Sequence, residues 1–220
     1  MPKNLNIVFR YSKIKPIKYR KPDVLKLAGN PIKASSDWNE KKFDSIKRLV
    51  RFVHYKSQKR RCAYCRRLLN PLGINEHIDH IVARDVYNKW MFKPRNLVLS
   101  CYQCNTQKTN ANTLTTAFVP KRLPIKKVNY KFFNPYIHNW HEHFEIEDNL
   151  FIRAKTIQAE QTISTYKLFD FKYSIVYSQE ANTFGASAIR RATRMMTKFR
   201  PDTDEYKNAK KLINEITRHI

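Results

Sequence analysis

The chain has four cysteines, and all fall in two Cys-x-x-Cys pairs, Cys62–Cys65 and Cys101–Cys104. Each pair can set two thiolates on one side of a tight knuckle, and four thiolates close a tetrahedral zinc site with no open position. About 35 residues separate the knuckles, against roughly 15–20 in a plain zinc ribbon, so something is inserted between them. The insertion holds Asp79-His80, and Asn105 directly follows the second pair. These residue types suit metal-assisted hydrolysis of a phosphodiester. That reaction needs a base to activate water, a cation to stabilise charge on the phosphate and the leaving oxygen, and fixed geometry. His80 suits the base because an imidazole titrates near neutrality. Asp79 and Asn105 supply hard oxygen ligands suited to Mg2+ or Mn2+ rather than zinc. Lys108 lies one helical turn after Asn105 and is placed to meet a phosphate. Two disulfides are the alternative for the cysteines. The start, Met1-Pro2-Lys3-Asn4, carries no signal-peptide pattern, so a reducing, cytoplasmic setting is expected and zinc is preferred.

These residues must be positioned by a few short elements. Ile74 to Val82 reads as a strand, Asn96 to Ser100 as a short buried extended segment, and Tyr102 to about Thr109 as a helix, in β-β-α order. Adjacent residues on a regular strand point to opposite faces, so a bend or bulge is expected to bring Asp79 and His80 to one site. His77 faces the same side as Asp79. It is open as an outer partner or an alternative ligand, with a plain strand residue preferred. Upstream, Asp37 with Glu40 three residues on reads as a helix start. Phe43, Ile46, Leu49, Val50 and Val53 continue it at helical spacing to about Ser57. Arg60 and Arg61 before the first knuckle, and Arg66 and Arg67 after it, concentrate positive charge near the proposed site. Together with Arg84 and Lys108 they are the candidate phosphate contacts.

At this point the chain resembles the HNH endonuclease family, the ββα-metal nucleases with a four-cysteine zinc site, of bacterial or phage type. The resemblance is carried by Cys62, Cys65, Asp79, His80, Asn96, Cys101, Cys104, Asn105 and Lys108. It implies His80 as general base, Asp79 and Asn105 as ligands of one catalytic Mg2+ or Mn2+, and Asn96 as the residue that holds the catalytic loop. It also implies a structural zinc ion on the four cysteines. Many members follow Asp-His with Pro and a Gly-Gly loop, whereas Ile81 to Arg95 has no Gly and its Pro94 sits late. That loop must be built differently, with Trp90 and Phe92 packed inward. A looser likeness through Asn134-Pro135, Trp140 and His143-Phe144 extends to roughly residues 45–170. The family implies DNA as substrate. A role in antiphage defence, with a regulatory ATPase or other defence-system subunit as partner, is expected on resemblance alone. The rival from another class is a non-catalytic zinc-containing nucleic-acid-binding protein.

Composition agrees with a polyanion partner: 43 basic residues face 18 acidic ones, a net charge of +25. No apolar run reaches the roughly 18 residues of a membrane span, so no membrane association is expected. Hydrophobic residues at 42% suffice for a core. The expected fold is α+β: a small zinc-stapled ββα-metal core embedded in a mostly helical chain. Residues 1–34 read as a basic extended arm, because Pro16, Pro22 and Pro31 discourage helix. Residues 35–112 read as the nuclease core with its leading helix. Residues 113–220 read as a connector and a mostly helical C-terminal region, with basic residues Arg190, Arg191 and Arg194 on one helix face.

Overall fold

Of the two strands that carry the motif, the mostly apolar one is wholly buried, and the polar one is buried over its last three residues, Ile78, Asp79 and His80. β1 (Glu76–His80) and β2 (Leu97–Cys101) pair antiparallel, with Asp79 opposite Val98 and His80 opposite Leu97. The structure is a computed structural model. It describes residues 13–69, 76–115, 120–147, 151–168, 196, 198 and 200–218. The basic residues Arg190, Arg191 and Arg194, expected on one helix face, lie outside the described residues, as do the first residues of the arm. The chain packs as two units, Ser12–Trp140, and Met1–Tyr11 with His141–Ile220.

In the first unit, α1 (Lys21–Ala28) corrects the expectation of an extended arm. Pro22 falls in its first turn, where the missing N–H costs nothing and the fixed φ favours the helix. Ile14 and Ile17 are buried, so this part of the arm belongs to the core. α2 (Asp44–Ser57) starts later than Asp37 predicts. The Asp37 carboxylate instead accepts the backbone N–H groups of Lys33 (2.7 Å) and Ala34 (3.1 Å), closing a turn behind it. α2 buries Ile46, Val50 and His54 and ends at Ser57, as its spacing predicts. Gln58 then docks that end onto β2: its amide donates to Leu99 O and accepts from Leu99 N, both at 2.8 Å. α3 (Tyr102–Lys108) follows β2 without a loop, so the β-β-α order is observed and the fold is α+β.

In the second unit, Phe144–Glu147 (β3) and Phe151–Ala154 (β4) form an antiparallel pair, followed by α4 (Ile157–Tyr166). Thr156 caps α4 by accepting from Ala159 N at 3.3 Å. α5 (Asp204–Arg218) closes the described chain, with Asp204 and Glu205 in its first turn, where acids complement the helix dipole. Among the described residues, no helix is long and apolar enough to cross a membrane.

Candidate active site

Cys101 ends β2 and Cys104 lies in the first turns of α3, while Cys62 and Cys65 flank a tight turn. Ala63 N donates to Leu99 O at 3.0 Å, which lays the first knuckle against β2. The four Sγ atoms lie within 4.8 Å of one another, and those of Cys65 and Cys101 are 3.8 Å apart. A tetrahedral zinc with Zn–S bonds of about 2.3 Å separates its sulfurs by roughly 3.8 Å, so the cluster fits a closed structural ion. Burial pushes the thiols of Cys65 and Cys104 up, while hydrogen bonds from Cys104, Cys62 and Cys65 pull Cys101 down. Four buried sulfurs competing for negative charge is the arrangement that a dication relieves.

Of the bend or bulge expected here, the structure has the bend: the pairing of β1 with β2 is unbroken over five residues. The chain bends immediately after His80, the last strand residue, and Asn96 holds that bend. Its Oδ1 accepts from Val82 N (2.8 Å), and its Nδ2 donates to Val82 O (3.0 Å) and Trp90 O (3.2 Å). One buried side chain thus ties both ends of the loop together. Trp90, Met91 and Phe92 pack inward from it, which supplies the rigidity that a glycine-free loop needs.

Asp79, His80 and Asn105 all line one cavity of about 340 Å³. His80 lies edge-on to Trp38, with ring centroids 4.4 Å apart. Its Nε2 has no hydrogen-bond partner among the described residues, and the Met91 backbone engages the ring. Burial pulls its pKa down to about 3, against the opposing pull of Asp79. The imidazole is therefore neutral at physiological pH. The Asp79 carboxylate accepts from the Tyr64 hydroxyl at Oδ2 and from the Lys108 ammonium at Oδ1 (2.7 Å). Lys108 also donates to His80 O. Burial lowers the Lys108 pKa and Asp79 opposes that shift. The Asn105 Nδ2 lies 3.4 Å from His77 Nδ1, which leaves the Asn105 carbonyl oxygen for another partner. A carboxylate and an amide oxygen lining one cavity fit a hard divalent ion of the Mg2+ or Mn2+ kind, with an imidazole beside them.

The expected phosphate contacts divide. Arg60 is exposed, and Arg67 and Arg84 are partly so, with Arg84 on the cavity wall. Arg61, Arg66 and Lys108 correct the expectation, because each is buried. Arg61 donates to Arg66 O (2.8 Å) and Arg66 to Cys62 O (3.0 Å), so both guanidinium groups brace the first knuckle. Arg66 also adopts the left-handed conformation at φ 64° that the knuckle turn requires. Nothing in the sequence pattern singles out Tyr64 or Trp38. The place of Tyr64 inside a knuckle is the only available hint, and Trp38 reads as part of a helix start.

Residues 62–111 match the model of the HNH endonuclease family. This stretch is an HNH endonuclease domain. It spans the first knuckle, both strands, the loop and α3, so the site described above lies inside the HNH domain. The domain points to a nuclease with DNA as its substrate. No curated protein matches the chain.

Proposed function

We propose that the chain is a divalent-metal-dependent endonuclease that hydrolyses DNA phosphodiesters. The observation that carries this reading is the meeting of Asp79, His80 and Asn105 on one cavity wall inside the HNH domain. His80 takes a proton from the attacking water at Nε2, the ring nitrogen without a partner among the described residues. Asp79 and Asn105 would hold Mg2+ or Mn2+, which when bound stabilises charge on the phosphate and the leaving 3′ oxygen. Asn96 keeps the His80 bend in place, and Arg84 faces the same cavity with a charge suited to a phosphate. The net charge of +25 supports backbone binding along the rest of the surface. A biological role in antiphage defence, phage or restriction biology, with a gating partner such as an ATPase, rests on resemblance to HNH nucleases alone.

Conversion of supercoiled plasmid tests the reading, with Mg2+ or Mn2+ set against EDTA and zinc content measured alongside. The wild type is expected to nick in a metal-dependent way. Zinc-replete His80→Ala is expected to lose about 10²- to 10⁴-fold, the usual contribution of a general base. Binding without cleavage under any metal would favour a zinc-containing nucleic-acid-binding protein. Cleavage unchanged in His80→Ala would remove His80 from the base role.

A further inference from the structure

Asp79 is buried on the cavity wall, and both of its oxygens are engaged from within the protein. Tyr64 reaches Oδ2 from the first knuckle, and Lys108 reaches Oδ1 from the end of α3. A carboxylate oxygen carries two lone pairs, so one bond to each oxygen leaves one lone pair on each for a metal. Two donors arriving from different elements fix the plane of the carboxylate and so the direction of those remaining lone pairs. Tyr64 is itself held at several points. Its neighbours in the knuckle are Cys62 and Cys65, two of the four clustered thiols. Its carbonyl accepts the Trp140 indole N–H at 2.7 Å, and its side chain is fully buried.

We propose that Tyr64 is a positioning residue: it carries the location of the zinc cluster to Asp79 and aims that carboxylate at the divalent ion. The inference rests on the reading of Asp79 as a ligand of that ion. It makes the zinc knuckle part of the active site through one hydroxyl, although none of its thiols touches substrate. Partners that orient a metal ligand from outside the coordination shell commonly change metal affinity or activity by about 10- to 100-fold when removed. A tyrosine that only filled the core would act through stability and leave both untouched.

The test uses the full-length, zinc-replete chain and Tyr64→Phe, which keeps the ring and removes the hydroxyl. Mn2+ binding is read by electron paramagnetic resonance without DNA, and single-turnover cleavage is read at saturating plasmid. Zinc content and Tm are measured on the same samples. The expected result is Mn2+ affinity reduced within the range just given and slower cleavage at saturation. DNA binding and zinc content should stay unchanged. Trp140→Phe, which frees the Tyr64 carbonyl instead, should shift Mn2+ affinity the same way by less, and it decides the matter if Tyr64→Phe loses zinc. Unchanged Mn2+ affinity in both variants, with or without a lower Tm, would overturn the positioning role and leave the endonuclease reading standing. A wild type that binds Mn2+ but cuts nothing would overturn the endonuclease reading, with the Mn2+ comparison still deciding Tyr64. A wild type that binds no Mn2+ would overturn both.

Discussion

Lys108 sits one turn past Asn105, where helical spacing would offer an ammonium to solvent, yet it is only 1% exposed. Its charge is spent inside the protein, on Asp79 and on the carbonyl of His80. Removing one partner of a buried ion pair leaves the other charge uncompensated, at a cost of about 3–5 kcal/mol. Lys108→Met is therefore expected to lower the urea midpoint strongly. The salt dependence of DNA binding should stay as in the wild type, because no phosphate contact is lost. His54 offers a second prediction, away from the proposed metal site. It is buried between Ser57 Oγ and Tyr136 OH, and burial pulls its pKa from 6.5 to about 4. The unfolded chain takes up that proton near pH 6.5 and the folded chain only near 4, so stability falls as pH drops through this window. Denaturant midpoints measured from pH 7 to 4.5 should fall less steeply in His54→Gln than in the wild type.

The four-cysteine cluster joins a turn, a strand end and a helix start, so loss of a metal held there should be felt by elements rather than by single residues. Removing zinc with a chelator is expected to abolish the cooperative melting of β1, β2 and α3, and returning zinc should restore it. Amide exchange at Ala63 and Leu99, on the two sides of the knuckle–strand contact, is the direct readout. Elements of this core were legible from local pattern. The Cys-x-x-Cys spacing is a chelate that needs no distant partner, and α3 begins where the second knuckle must turn. Elsewhere a local choice was decided at long range. Asp37 could have capped a helix ahead of it, but it closes the turn behind it. That arrangement leaves Trp38 against His80 and Phe92, with centroids 4.4 and 5.2 Å away. Pro22 excludes a helix interior but suits a helix start, so α1 was hidden by a residue with two meanings. Arg61, Arg66 and Lys108 read as surface charge, because a sequence does not show which cations have found a carbonyl or a carboxylate. Tyr64 was illegible for the same reason: its partner Asp79 is 15 residues away and belongs to another element.

At the scale of the whole molecule, a net charge of +25 keeps copies apart and draws the chain to polyanions. Charge alone does not protect a sheet of only two strands, since such a sheet has no interior strand. The backbone of Leu99 points away from β1, and an open edge of this kind is a template for pairing with another chain. Gln58 covers it by presenting an amide that imitates the donor and acceptor of one more strand residue, and Ala63 N adds a second bond to Leu99 O. The same side chain that docks α2 is therefore also a guard against aggregation. Gln58→Leu keeps the bulk and removes the mimicry. Light scattering across a concentration series should show it self-associating at concentrations where the wild type does not, with the uncovered edge of the β1–β2 sheet as the adhesive surface.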